Sequence, residues 1–258
     1  MADTETLSDK KDKSTTPMTF WEHLDVLRSS IIKMLMITIA TAIIAFFFKE
    51  QLFDIVLAPS HANFITYQLM GAEPFTIQLV NIGLTEQFMI HMKTAFYFGV
   101  VIASPFILYL LYQFIRPALY PSEKRYMLSI VGSSYIMFLI GILINYFLIF
   151  PLTVRFLGTY SVSEDIHNML SLESYMDTLL MMSLIFGIVF ELPIISFLLA
   201  KFGLLKAEWM QQYRRHSIVA ILIIAAIITP TSDVFTLTIV SLPIWLLYET
   251  SILIVKRV

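Results

Sequence analysis

Glu123 is the first residue whose chemistry and surroundings suggest a binding role. It lies in the polar segment 114–125, with Arg116, Lys124 and Arg125 as charged neighbours. A carboxylate in such a segment can accept the two parallel N–H groups of a guanidinium in a bidentate, charge-assisted pair. The same residues also suit a plainer role, with the cations as membrane-surface anchors and Glu123 in the first turn of a helix. The pattern alone leaves both interpretations open.

Glu191 is the second candidate, because it lies inside a long apolar run, next to Phe190 and close to Pro193. An acidic side chain at the bilayer centre costs about 2.5–3.5 kcal/mol on insertion scales, so its presence favours a functional role. That role could be partner docking, a polar path or proton binding. The structural alternative is a protonated carboxyl that hydrogen-bonds a neighbouring helix, or carbonyl groups released near Pro193.

Signatures of catalysis are absent from the sequence. Its five histidines are scattered without a His-Glu-x-x-His pattern, and there is no Gly-x-Ser-x-Gly, P-loop or glycine-rich dinucleotide turn. No cysteine is present, which excludes disulfides and thiolate metal sites. The 17 basic and 19 acidic residues nearly cancel, so no nucleic-acid partner is indicated. We therefore expect a protein that is not an enzyme and needs no cofactor.

The elements that must position these residues are membrane helices. The 258-residue chain is 58% hydrophobic and only 14% charged, with mean hydropathy +0.79. Uninterrupted apolar runs of about 18 residues or more are typical of membrane spans. We predict an all-α membrane protein in which a disordered cytoplasmic tail, 1–17, precedes one six-span domain, 18–258. The predicted spans are 31–48, 88–115, 126–150, 175–200, 217–229 and 234–248.

The segments between the spans predict the orientation. Residues 20–33 have the spacing of an amphipathic surface helix that leads into the first span, while 49–87 and 151–172 are predicted external loops. With both termini in the cytoplasm, 14 basic residues face inside and three, Lys49, Lys93 and Arg155, face outside. This asymmetry predicts cytoplasmic termini and a cytoplasmic segment 114–125. The fifth and sixth spans are short, about 20 Å against roughly 30 Å of hydrocarbon.

Taken in order, these motifs resemble the TatC family, the multi-span receptor of the twin-arginine protein translocase. The matching stretches are residues 20–28, 114–125, 190–193 and 229–235, which are spread over nearly the whole chain. The resemblance implies a curved, glove-like bundle in the bacterial cytoplasmic (inner) membrane. It also implies that folded precursor proteins are recognised on the cytoplasmic face through signal peptides that carry an Arg-Arg pair.

The resemblance implies roles for individual residues as well. Glu123 matches the family's signal-binding carboxylate, and Phe114, Pro117 and Arg125 match its neighbours. Glu191 matches a polar partner contact in the fourth span. Asp233 matches an acid in the external turn between the last two spans, and Pro59 matches a proline of the first external loop.

The N-terminal motif departs from the family pattern at one position. Where the family usually has a second signal-binding acid, this chain has Val26. Glu22 lies four residues earlier, hence on the same helix face, while Asp25 is adjacent to Val26 and Arg28 closes the motif. Our hypothesis is that Glu22, or less favourably Asp25, supplies the missing charge. Glu22 could instead belong to a helix-capping box.

The partners implied by the resemblance are small single-span subunits of the TatA/TatB type, recruited under the proton-motive force, together with membrane lipid and further copies of the chain itself. Two other functions stay open from the residues alone. A proton-coupled small-solute transporter would use Glu191 as its proton site, and internal repeats with broken helix pairs would be expected. A structural scaffold subunit would use Glu123 and Glu191 for assembly.

Overall fold

The computed structural model describes residues 20–71, 77–115, 127–160, 169–229 and 233–257. Helices dominate this part of the chain, because a membrane interior offers no water to backbone N–H and C=O groups. The elements are α1 (Phe20–Phe46), α2 (Lys49–Leu57), α3 (Ile65–Leu69), β1 (Gln78–Val80), α4 (Glu86–Ile115), α5 (Met127–Ile144), α6 (Phe150–Thr159), β2 (Met169–Ser171), α7 (Leu172–Val189), α8 (Leu192–Lys201), α9 (Ala207–Gln212), α10 (Arg214–Ile228) and α11 (Val234–Val255).

Five helical stretches among the described residues are long and apolar enough to cross a membrane: Trp21–Phe46, Glu86–Ile115, Leu128–Thr159, Leu172–Lys201 and Val234–Val255. The remaining apolar helix, α10, has 15 residues. At 1.5 Å per residue it is about 22 Å long, which is less than the hydrocarbon thickness. The all-α membrane fold and the short fifth helix therefore agree with the sequence prediction.

The sixth helix is longer than predicted. Glu249 suggested an end at residue 248, but α11 has 22 residues and continues to Val255. The carboxylate of Glu249 accepts a hydrogen bond from Arg214 Nη2 at 2.6 Å. This contact with the first residue of α10 balances the negative charge of Glu249. The helix predicted over 20–33 continues into the first span as expected, since these residues and the first span form the single helix α1.

The third span also continues past its predicted end. Proline at position 151 suggested that an external loop begins there, because proline lacks an N–H group for the helix ladder. A π-helical turn, Asn145–Ile149, precedes the proline and places it in the first turn of α6, where a missing N–H costs little. The prediction of a loop is therefore wrong for residues up to Thr159.

The fourth span consists of two helices, α7 and α8, separated by a turn at Phe190 and Glu191. Pro193 lies in the first turn of α8. The helix breaks just before it because proline has no N–H group to donate to the preceding turn. The core side chains of α7 pack with those of α6, α10 and α11 into one buried cluster, against which partly buried side chains of α5 lie. The break thereby fixes Glu191 at a bend within the bundle.

α1 packs along α4 through a close approach at Gly99. A Cβ atom at this position would lie 2.7 Å from the Cα, Cβ and N atoms of Ala42, so only glycine fits without displacement. The Thr41 hydroxyl donates to the Gly99 carbonyl oxygen at 2.8 Å. This contact sets the position of α1 relative to α4, and therefore of the ends of both helices.

At one end of the bundle lie α2, α3, β1 and β2, which we together call the loop cap. β1 and β2 pair in parallel, Gln78 with Met169. The Glu86 carboxylate joins the same two segments, because it accepts hydrogen bonds from the backbone N–H groups of Gly83 at 2.7 Å and Glu173 at 3.0 Å. The opposite end, where α1 and α5 begin and α4 ends, we call the hinge end.

Candidate functional site

The hinge end brings the start of α1 to the end of α4. The imidazole ring of His23 stacks on the phenyl ring of Phe114, with 4.2 Å between centroids and 24° between planes. This stack makes Phe114 a neighbour of the first turns of α1, which contain the predicted signal-binding residues Glu22 and Asp25. Glu123, Pro117 and Arg125 lie outside the described residues.

The orientation of α1 distinguishes between the two candidate acids. His23, Leu27 and Ser30 lie on its more buried face, whereas Glu22, Asp25, Val26 and Arg28 are exposed. At 100° per residue, Glu22 lies about 40° from Val26 around the helix, and Asp25 lies about 100° away. Glu22 therefore projects nearer to the direction in which the family's second acid would point.

Glu191 lines a concave feature, which we call the apolar groove. It is a cavity of about 540 Å³ between α4, α5 and the α7–α8 bend. Most of its lining is aliphatic or aromatic. The lining residues are Val100, Ser104, Ile107, Leu108, Leu111, Tyr112, Ile115, Phe138, Leu184, Ile188, Glu191, Ile195, Leu198, Leu199 and Phe202.

A short hydrogen-bond chain holds the Glu191 carboxyl in place. The Ser134 hydroxyl donates to Glu191 Oε2 at 2.5 Å, and the Tyr112 hydroxyl lies 2.7 Å from the Ser134 hydroxyl. Glu191 is 7% exposed, and among the described residues its Oε1 has no hydrogen-bond partner. A buried acceptor without a partner is costly, so one unsatisfied carboxyl oxygen lies beneath the mostly apolar wall of the groove.

Pro59 and Asp233 both lie at the end of the molecule opposite the hinge end. Pro59 is buried in a short 3-10 turn, and its carbonyl oxygen lies 2.9 Å from the Tyr67 hydroxyl. The same hydroxyl lies 3.1 Å from the carbonyl oxygen of Pro151, which joins the loop cap to α6. Asp233 caps α11, since its Oδ1 accepts from the Thr236 N–H at 2.7 Å. Both residues hold local structure in place.

The sequence did not identify four residues on which these sites depend: His23, Tyr112, Ser134 and Glu86. Tyr112 and Ser134 are polar residues in predicted spans, but tyrosine and serine are common there and carry no charge to mark them. His23 was part of the N-terminal motif, although nothing local indicated its partner on α4. Glu86 precedes the second predicted span and has the appearance of a solvent-exposed flanking acid.

Comparison with known proteins agrees with the fold and the motifs. The family model described as Sec-independent protein translocase protein (TatC) matches residues 22–243. This chain belongs to the TatC family. The fold class and the assignment to this protein translocase are thereby confirmed, and TatC proteins are membrane components of a translocase and not enzymes.

Individual TatC proteins match most of the chain. The Sec-independent protein translocase protein TatC of Koribacter versatilis is 37% identical over 235 residues, 91% of this chain and 84% of that protein. The TatC protein of Aquifex aeolicus is 34% identical over 240 residues, 93% of this chain and 95% of that protein. A crystal structure described as the twin arginine translocase receptor TatC superimposes with a TM-score of 0.78 at 34% identity, covering 92% of this chain and 99% of that one.

Proposed function

We propose that the hinge end of this TatC-family chain faces the cytoplasm and binds the Arg-Arg pair of signal peptides, with Glu123 as the main acid and Glu22 as the second. The observation that carries the proposal is the stack of His23 on Phe114 at 4.2 Å. It places the first turn of α1, which contains Glu22, beside the end of α4, from which the chain leads to Glu123.

Chain connectivity limits how far Glu123 can lie from this position. It lies four positions before Met127, the first residue of α5, and four positions of extended chain span at most about 14 Å. The start of α5 runs beside the end of α4, as the contact between Tyr112 and Ser134 at 2.7 Å shows. The proposal therefore has Glu123 at the same end of the molecule as Glu22.

Two carboxylates at this end would suit two guanidinium groups. A guanidinium forms two parallel hydrogen bonds with a carboxylate, whereas an ammonium is a point charge that cannot match this geometry. This difference supplies a physical reason for a preference for arginine over lysine in the signal peptide. Because Val26 replaces the usual second acid, Glu123 carries more of the recognition in this chain.

Peptide binding by charge-neutral variants tests the assignment. A hydrogen bond to a charged group contributes about 1.5–3 kcal/mol, so Glu123→Gln should weaken binding of an Arg-Arg signal peptide by roughly 10- to 100-fold. Glu22→Gln removes an exposed acid, so a loss of about two- to fivefold is expected. Glu50→Gln, an exposed acid of the loop cap, is the matched control and should leave the dissociation constant unchanged.

Two results would count against the proposal. Wild-type affinity for the Arg-Arg peptide in Glu123→Gln would remove the main acid from the site. Equal weakening by Asp25→Asn and Glu22→Gln would show that α1 contributes a diffuse negative field and no particular carboxylate. The ratio of the affinities for the Arg-Arg and the Lys-Lys peptide measures how strongly binding depends on guanidinium geometry. This preference for arginine should disappear in Glu123→Gln.

The proposed orientation can be tested with single cysteines, because the sequence contains none. Gln51 on α2 and the exposed Gln212 at the end of α9 lie at opposite ends of the molecule. In intact spheroplasts, Gln51→Cys should react with a membrane-impermeant maleimide, and Gln212→Cys should react only after lysis. The reverse labelling pattern would place the hinge end outside and contradict the receptor proposal.

Glu191 and the apolar groove supply the proposed contact with a small single-span partner of the TatA/TatB type. An apolar helix could fill the groove, and one hydrogen-bond donor on that helix could satisfy Glu191 Oε1. Such a contact is favoured in a membrane, because a polar side chain on a single-span helix otherwise has only lipid around it. The groove lies between α4 and α8, and its lining reaches Ile115 at the end of α4, so signal and partner contacts would be close together.

A further inference from the structure

A second concave site lies at the hinge end, and it shares no lining residue with the apolar groove. It is a cavity of about 440 Å³ between the α8–α9 corner and the end of α11. Leu205 and Val255 contribute apolar surface to it, and Lys206, Lys256, Gln211 and Glu208 contribute polar groups. None of these six residues belongs to the proposed signal or partner contacts.

The walls of this cavity are well fixed. The Tyr248 hydroxyl donates to the Met210 carbonyl oxygen at 2.7 Å, which ties α9 to α11. The side chains of Met210, Ile252 and Val255 form a buried cluster beneath it. The α8–α9 corner is closed by Gly203, whose φ of +71° lies in the left-handed region. The basic groups are therefore presented on a rigid surface.

The surroundings place the cavity at the membrane surface. Trp209 and Tyr213 are about half exposed, and Leu204 is 65% exposed. The Lys206 ammonium lies 5.8 Å from the centroid of the Trp209 ring. Exposed tryptophan and tyrosine beside basic residues are typical of the headgroup level of a bilayer. α9 also connects the ends of α8 and α10, two helices with apolar, exposed faces.

We propose that this cavity binds the headgroup of an anionic phospholipid from the adjacent leaflet. The two lysines and Glu208 give the lining a net charge of +1, which complements a phosphodiester with one net negative charge. The lysine ammonium groups would bind the phosphate oxygens, and Gln211 and Glu208 would bind headgroup hydroxyls. Leu205 and Val255 would contact the glycerol backbone and the first acyl carbons. Basic pockets between membrane helices are a known form of lipid site.

Charge selects this class of lipid over the two common alternatives. A zwitterionic choline headgroup offers no hydroxyl or N–H donor to Glu208, and its trimethylammonium group would lie close to the lysines. A zwitterionic ethanolamine headgroup has a donor but no net charge to balance the lining. A phosphatidylglycerol headgroup has both a single negative charge and free hydroxyls. The proposal concerns the purified chain and does not depend on signal-peptide binding.

Native mass spectrometry of the detergent-solubilised full chain tests the site, with dioleoyl phosphatidylglycerol as the probe. We expect one tightly bound lipid in the wild type. Each cation near a membrane surface contributes about a fivefold effect on binding, so Lys206→Gln and Lys256→Gln should each weaken binding by about fivefold, and the double variant by about 25-fold. Both side chains are exposed, so neither substitution should disturb folding.

Lys33→Gln is the matched control, because Lys33 is an exposed lysine of α1 and its loss changes the total charge equally. It should bind the lipid as the wild type does. The proposal would be overturned if Lys33→Gln weakened binding as much as the cavity variants, or if phosphatidylcholine bound equally well. Complete displacement by millimolar glycerol phosphate would also overturn it, since that result would indicate a site for a free phosphate compound and not for a lipid.

Discussion

Gly99 provides the most direct test of how the fold positions the receptor surface. A Cβ atom there would lie 2.7 Å from three atoms of Ala42, whereas comfortable carbon contacts lie at about 3.5–4.0 Å. Gly99→Ala should therefore force α1 and α4 apart by roughly 1 Å. Overpacking of this kind costs about 1–3 kcal/mol, and loss of the Thr41–Gly99 hydrogen bond adds about 0.6 kcal/mol.

The expected total is roughly 2–4 kcal/mol, which corresponds to a fall in Tm of about 5–15 °C for a chain of this size. Thermal unfolding in detergent, followed by tryptophan fluorescence, measures it. Gly132→Ala is the matched control, because a Cβ atom there would meet nothing within 4 Å and helical alanine is favoured over glycine by about 0.5–1 kcal/mol. Gly99→Ala with the Tm of Gly132→Ala would refute the close approach.

The remaining predictions concern the two binding surfaces. His23→Ala should weaken binding of an Arg-Arg peptide several-fold through loss of the stack on Phe114, and His23→Phe should restore most of it. No difference between the two variants in a peptide titration would show that the stack does not position the site. Ser134→Ala removes the donor to Glu191 and should reduce co-purification of the small single-span subunits. The control Ser133→Ala should not, because the Ser133 hydroxyl faces outward and bonds within its own helix at 2.8 Å; equal yields would contradict the assigned role of Ser134.

The membrane helices could be predicted because their cause is local. A span needs a continuous apolar run, and such runs are visible in the sequence. The predicted helix ends are wrong where a contact with a residue distant in sequence determines the local structure. Glu249 lies inside α11 because Arg214 on another helix neutralises it, and the π-helical turn that accommodates Pro151 has no sequence signal. The pairing of β1 with β2 joins segments about 90 residues apart, and no local pattern indicates it.

The site could be predicted in part for the same reason. Glu191 is conspicuous because charge is rare in an apolar run, and Glu123 and Val26 are placed by motifs. The partners of these residues depend on how the helices pack. Ser134 reaches Glu191 across 57 positions of sequence, and the contact of His23 with Phe114 depends on the close approach at Gly99.

The loop cap has a mechanical consequence for the apolar groove. β1 paired with β2, the Glu86 carboxylate and the ion pair of Lys93 with Asp177 at 2.8 Å all tie α4 to α7 at one end. At the other end, the groove lies between α4 and α8. α4 and the α7–α8 pair are therefore joined firmly at the loop cap and can separate more easily at the hinge end. An incoming helix should separate the ends of α4 and α8 and leave the loop-cap contacts intact. We therefore expect it to dock from the hinge end and to stop short of the loop cap.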